Sequence, residues 1–166
     1  MKGTEPMQVN DQIMLVTYPN SLGANLKELK QVLDVYLKGT IGGVHLLPFF
    51  PSSADRGFAP LTYECVDPIY GTWEDIEAIG KDHYLMFDYM INHISAHSKY
   101  YLNFQQYKDA SPYKDLFVRF KNFWPNCEPT QQQADAILRR KPGLPCVECH
   151  FADGTHEKVW RLSKLI

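Results

Sequence analysis

No run of apolar residues approaches the roughly 20 that a membrane-spanning helix needs. The N-terminus, Met1-Lys-Gly-Thr-Glu-Pro-Met7, has no apolar signal core. A cytoplasmic, soluble protein is the expectation that follows. Basic clusters are also missing: 17 Lys and Arg stand against 19 Asp and Glu, for a net charge of −2. Neither nucleic acid nor an anionic membrane is therefore an expected partner. Internal repeats and low-complexity tracts are absent. What remains is an ordinary globular composition, 45% hydrophobic, 22% charged and 13% aromatic over 166 residues, long enough for a real core.

The pattern along the chain alternates strand and helix. Gln12 to Tyr18 reads as a short buried strand stopped by Pro19, Asn20 and Gly23. Asn25 is placed to cap a helix with Glu28 as its capping-box partner, and Leu26, Leu29, Leu33, Tyr36 and Leu37 share one face of it. Lys38-Gly39 closes that helix, and Ile41 to Leu47 is a second strand ended by Pro48. From Pro48 to Gly71 runs a long connection too aromatic for a disordered linker, so it is expected to be ordered and functional. Thr72 and Asp75 form a capping box before a helix whose apolar face is Trp73, Ile76 and Ile79.

The third strand lies in His83 to His97. Tyr84 to Ile91 is a nearly continuous apolar run, which predicts a strand buried on both faces, and Asp88 is its only charge. A carboxylate there costs several kcal/mol unless it is paired or hydrogen-bonded. Asn92 and His93 follow, where a parallel strand opens into its C-terminal loop and ligands sit in α/β folds. The spacing alone leaves two readings: a ligand site, or three residues that satisfy one another and the local backbone. Three strands alternating with two helices predict an α/β fold with a parallel βαβαβ sheet.

After His93 the rhythm changes to a small mixed α+β module. Lys99 to Tyr107 and Tyr113 to Phe120 read as helices broken at Ser111-Pro112, and Thr130 to Leu138 as another with Gln133 in its box. Lys141 to Pro145 is a turn, and Val147 to Phe151 with Lys158 to Leu162 flank Asp153-Gly154 as a hairpin. Cys146-Val-Glu-Cys-His150 fits a haem-attachment pattern and, with Cys127 and His156, a zinc cluster. Haem attachment needs export, for which no signal is visible, and the motif sits in a predicted hairpin rather than at a helix start; such pairs also arise readily by chance, so the four cysteines are expected to be reduced bystanders. His45 reads as a satisfied core histidine. Tyr63 and Tyr70 line a pocket or, more commonly for aromatic loop residues, simply pack.

Several separated words together resemble the α-amylase superfamily of glycoside hydrolases and transglycosylases, and within it the sucrose phosphorylases. They are Leu15-Val-Thr-Tyr18, Gly42-Gly-Val-His-Leu-Leu-Pro-Phe-Phe-Pro51, Asp55-Arg-Gly-Phe-Ala-Pro60, Val66-Asp67 with Gly71-Thr-Trp73, and Phe87-Asp-Tyr-Met-Ile-Asn-His93. Lys114-Asp-Leu-Phe117 and Phe123-Trp124 add to the match, which runs from Ile13 to Trp160. The resemblance implies that residues 1–93 are the start of a (β/α)8 TIM barrel and residues 94–166 a domain inserted after its third strand. It implies retaining glucosyl transfer from sucrose to inorganic phosphate, giving α-glucose 1-phosphate, through a carboxylate nucleophile and a Glu acid/base.

Residue by residue, His93 matches a histidine that hydrogen-bonds the bound glucosyl unit. Asp55 matches an acid gripping its outer hydroxyls, and Phe58 an aromatic wall against its apolar face. Asp88 and Asn92 match a pair that orders the strand end and supports the site. In many amylases that Asn helps hold calcium, but sucrose phosphorylases do not depend on it, so neither metal nor cofactor is expected. Arg56 beside Asp55 keeps a sucrose 6′-phosphate phosphorylase open as an alternative.

The family nucleophile lies in an Arg-x-Asp word on the fourth strand and the acid/base Glu on the fifth, and this sequence supplies neither. A closed barrel takes about 250 residues. The expectation is a truncated piece, inactive alone, with an unpaired parallel edge and an exposed apolar inner face. A sugar-binding module without turnover, or a partner that complements a separately encoded C-terminal portion, is the alternative of another class.

Overall fold

The computed structural model describes residues 12–124, 126–137 and 145–161. The chain divides into two compact units, Met1–Met90 and Ile91–Ile166.

In the first unit, β1 (Met14–Thr17), β2 (Gly43–Leu46) and β3 (Tyr84–Phe87) form a parallel sheet in the order β1-β2-β3. Helices α1 (Leu26–Tyr36) and α2 (Trp73–Gly80) connect them. One sheet face, carrying Leu15, Val44, Leu46 and Leu85, packs on Leu26, Leu29 and Leu33 of α1 and on Ile76 and Ile79 of α2. The three α1 leucines are fully buried, as expected of an i, i+3, i+7 stripe facing a sheet. Asn25 caps α1 by accepting from the Glu28 amide at 3.0 Å, while the Glu28 carboxylate accepts from the Ala24 amide at 2.8 Å, one residue earlier than a capping box places it. The Thr72–Asp75 box on α2 is formed.

Two readings of the sequence need correction here. The third strand is shorter than the apolar run, ending at Phe87, and it is not buried on both faces. Met86 and Phe87 are each 41% exposed, and Ile91 is 82% exposed. The ladder to β2 stops because Pro48, just past β2, has no amide hydrogen to donate, and β3 is an edge of the described sheet. On α2, Trp73 is half-exposed, although its ring meets Phe49 and Phe50 edge-on. The second sheet face carries the cross-strand row Val16, His45, Met86, in which Val16 is 57% exposed. This is the exposed apolar face expected of a few strands drawn from a barrel.

In the second unit, α3 (Lys99–Tyr107) and α4 (Gln131–Ala136) precede an antiparallel hairpin of β4 (Cys146–His150) and β5 (His156–Trp160). Thr130 and Gln133 form the expected box on α4. The helix expected at Tyr113 to Phe120 is instead two single 3-10 turns, Lys114–Leu116 and Phe120–Asn122, flanking an extended stretch. That stretch lies along the hairpin edge: Arg119 bridges Val159, and the Trp160 amide donates to the Val118 carbonyl at 2.8 Å. Sheet pairing has overridden local helix propensity. Most of the turn expected at Lys141 to Pro145 lies outside the described residues.

The hairpin joins α3 through Phe104, Cys149, Phe151 and Val159, with Tyr101 and Phe117 packed against them. Arg119 is only 4% exposed, and its guanidinium donates to Glu157 at 2.7 and 2.8 Å and to Asp109 at 2.5 Å. Burial alone would raise the Glu157 carboxyl; hydrogen bonds from Arg119 and Lys121 reverse this and hold it below its usual value.

Candidate active site

The long connection after β2 is ordered, as its aromatic content implies. Phe49 is 1% and Phe50 7% exposed, and the Asp67 amide donates to the Phe49 carbonyl at 2.9 Å. Tyr63 packs on Phe50 and Tyr89, and its hydroxyl donates to the Met90 carbonyl at 2.6 Å. Tyr70 packs against the same core. For Tyr63 the packing reading holds, while Tyr70 packs and also lines an open cavity with Val66, Gly71 and Trp73.

Asp55 and Phe58 stand on a tight excursion of this connection. Its base is closed by the Leu61 amide donating to Pro51 and the Ser53 amide donating to Ala59. The Ser52 hydroxyl donates toward the Ala54 and Ala59 carbonyls, and the Ala59 amide donates back to it. At the tip the backbone is left-handed three times in succession: Asp55 at φ 56°, Arg56 at φ 48° and Gly57 at φ 99°. For the two non-glycine residues this costs about 1–2 kcal/mol each. Gly57 is required, since a Cβ there would stand 2.6 Å from Pro48 Cβ and 2.8 Å from its carbonyl oxygen. The Phe58 amide donates to the Asp55 carbonyl at 3.1 Å, so the turn brings these two candidate residues together. Asp55 is exposed and Phe58 half-buried, leaving the carboxylate open to a ligand.

Arg56 is committed to this turn. Its guanidinium lies 3.9 Å from the Tyr18 ring centroid and donates to Asn20 Oδ1 at 3.5 Å and Ser21 Oγ at 3.3 Å. Nothing in the sequence pattern pointed to this tie, which spans more than thirty residues.

Asp88 finds its partner in His45, whose Nε2 lies 3.1 Å from Asp88 Oδ2. An ionised carboxylate only accepts, so Nε2 carries the shared proton. Asp88 is 29% exposed at its side chain, so it is less sealed than the apolar run suggested. The side-chain period puts His45 and Asp88 on the sheet face opposite α1 and α2, but only the register of β2 and β3 pairs them. Asn92 and His93 fall in the second unit, in a stretch without regular structure. Asn92 is exposed, while His93 is half-buried with its Nδ1 shielded from solvent.

The cysteine pattern does not converge. Cys146 and Cys149 are three residues apart on β4, so they point to opposite faces, and Cys149 is fully buried beside Phe104 and Phe151. Among the described residues no three His, Cys, Asp or Glu side chains are grouped to hold a metal ion, and no helix is long and apolar enough to cross a membrane.

A three-stranded parallel sheet with an ordered, aromatic connection after its second strand is matched by a family model. Residues 12–145 match the catalytic domain of α-amylase. The chain belongs to that family. It is 51% identical to sucrose phosphorylase of Streptococcus mutans over 93% of its own length and 32% of that protein's. It is 39% identical to sucrose 6(F)-phosphate phosphorylase of Thermoanaerobacterium thermosaccharolyticum over 93% of the chain and 32% of the relative. A solved structure of sucrose 6F-phosphate phosphorylase from Thermoanaerobacter thermosaccharolyticum superposes with a TM-score of 0.88 at 38% identity, over 96% of this chain and 32% of that one. Trehalose-6-phosphate hydrolase of Bacillus licheniformis matches with a TM-score of 0.68 at 17% identity, a likeness of fold alone. The three strands are thus part of a TIM-barrel fold, and the chain spans about a third of the length of the relatives it matches.

Proposed function

We propose that this chain supplies the glucosyl-holding part of a retaining phosphorylase that acts on sucrose and inorganic phosphate. The observation that carries the reading is the 51% identity to Streptococcus mutans sucrose phosphorylase across 93% of the chain. In this reading residues 1–93 belong to the catalytic barrel and residues 94–166 to an inserted domain. Asp55 accepts hydrogen bonds from the outer hydroxyls of the glucosyl unit, Phe58 covers its C–H surface, and His93 hydrogen-bonds it. Asp88 and Asn92 support the strand end that leads to His93. None of these residues is the nucleophile or the acid/base of the retaining reaction, and turnover needs both groups.

The sucrose 6′-phosphate reading draws support from the 0.88 TM-score to a phosphorylase of that substrate. Arg56 adds nothing to it, because its guanidinium is already engaged by Tyr18, Asn20 and Ser21.

A chimera tests both readings. Residues 12–160 of this chain replace the matching third of the Streptococcus mutans enzyme, and release of α-glucose 1-phosphate is measured with sucrose and with sucrose 6′-phosphate. The expected result is phosphorolysis of sucrose that Asp55→Ala abolishes. A folded chimera that cleaves neither substrate overturns the proposal, and preference for the phosphorylated sugar favours the second reading.

A further inference from the structure

We propose that Arg56 is a positioning residue that clamps the turn bearing Asp55, and so fixes where the Asp55 carboxylate stands. The inference rests on the reading of Asp55 as a sugar ligand, and extends it to a residue that touches no sugar. Two adjacent non-glycine residues in the left-handed region are unfavourable locally, so something outside the pair must hold them there.

The base of the excursion, tied through Ser52, Ser53 and Ala59, fixes where the loop leaves and returns, but not the conformation of its tip. Gly57 fixes the approach to Pro48 and permits the turn without favouring it over other glycine conformations. Arg56 supplies the tie from the strained pair to another element. Its planar guanidinium stacks on Tyr18, just past the end of β1, and one of its amino groups, Nη2, reaches both Asn20 and Ser21. With Arg56 anchored, Asp55 next to it cannot relax to an extended backbone without breaking the stack. The geometry is that of a side chain whose own strained backbone conformation is the means by which it orients its neighbour.

The test uses the full chain and two readouts. Amide hydrogen exchange follows Ser53, Phe58 and Ala59, whose amides are hydrogen-bonded within the loop. An NMR titration with D-glucose follows binding at Asp55 and Phe58. Arg56→Ala is expected to speed exchange of these amides about tenfold and weaken glucose binding about tenfold, with the urea midpoint of the chain unchanged. Tyr18→Leu should reproduce both effects, while Tyr18→Phe, which keeps the ring, should leave both at the unsubstituted values. Arg56→Lys, retaining charge without the flat stacking surface, should fall between.

Unchanged exchange in Arg56→Ala overturns the clamp. Faster exchange with undiminished glucose binding overturns its positioning role. If the unsubstituted chain shows no glucose binding, the reading of Asp55 as a ligand within this chain fails, and exchange alone decides the clamp.

Discussion

His45 Nε2 and Asp88 Oδ2 are 3.1 Å apart, joining the middle of β2 to the residue just beyond β3. The pair explains how a carboxylate is tolerated in an otherwise apolar run, and it anchors the chain four residues before Asn92 and five before His93. Partial exposure of both side chains limits its strength. A double-mutant cycle with His45→Phe and Asp88→Ala, measured by urea unfolding, is expected to give a coupling of about 1 kcal/mol. Additive effects would show that the two groups do not support each other.

Arg119 carries a larger share of the second unit's stability. It is almost fully buried, and two carboxylates converge on it, so removing it leaves Glu157, whose side chain is 14% exposed, with Lys121 at 2.7 Å and the more distant Lys108. Arg119→Ala is expected to cost on the order of 2 kcal/mol, because charge-assisted hydrogen bonds to a largely buried carboxylate are lost while Lys121 still balances its charge. Arg119→Met together with Glu157→Leu should be milder than Arg119→Ala alone. Denaturant midpoints of the three proteins check this ordering.

The same cluster sets an acid limit. Glu157 is held below its ordinary value of 4.5 although burial opposes this, and the Arg119 hydrogen bond holds Asp109 below 3.8. A carboxylate with a depressed folded value contributes stability that is fully present above its unfolded value and disappears as pH falls through the folded one. Stability of the second unit is therefore expected to be flat near neutrality and to fall below about pH 4. Asp109 is largely exposed and contributes little, so Glu157→Gln should remove most of the slope while lowering stability at neutral pH. Urea midpoints from pH 3 to 7 would show it, and an unchanged slope in the variant would refute the assignment.

Gly57 is a sharper probe of the Asp55 turn than any charge. Its φ of 99° and the 2.6 Å approach to Pro48 leave no room for a methyl group. Gly57→Ala is expected to destabilise the loop by about 2 kcal/mol or more, and limited proteolysis should then cut between Ser52 and Pro60. Resistance equal to that of the unsubstituted chain would mean that the loop tolerates another conformation.

The alternation of strand and helix, both N-caps of the first unit and the Asp153-Gly154 hairpin were legible because each rests on contacts between near neighbours in sequence. The His45–Asp88 pair and the Arg56 stack on Tyr18 were not, since their partners lie 43 and 38 residues apart and become neighbours only when the sheet forms. Tyr113 to Phe120 was misread for a related reason: its aromatic spacing resembles a helix face, while its real partner is the edge of β5. Left-handed Arg56 gave no signal, because arginine is not a residue type that announces a turn; Asp55, with Gly57 two residues on, is one that does. A role for the Asp55 and Phe58 loop in a site comes from the family words alone and is part of the proposed function.

The four thiols separate by environment, and their reactivity tests the packing of β4. Cys65 and Cys127 are exposed, Cys146 is partly covered and Cys149 is fully buried. Burial pushes both Cys146 and Cys149 above the ordinary thiol value, which leaves less thiolate to react at neutral pH. An aromatic disulfide reagent should therefore label two thiols at once and a third slowly, with Cys149 reacting only as the second unit unfolds. Because Cys149 packs on Phe104 and Val159, its labelling rate should rise with urea along the unfolding curve of that unit. Immediate labelling of all four thiols in native buffer would contradict the burial of Cys149 between the hairpin and α3.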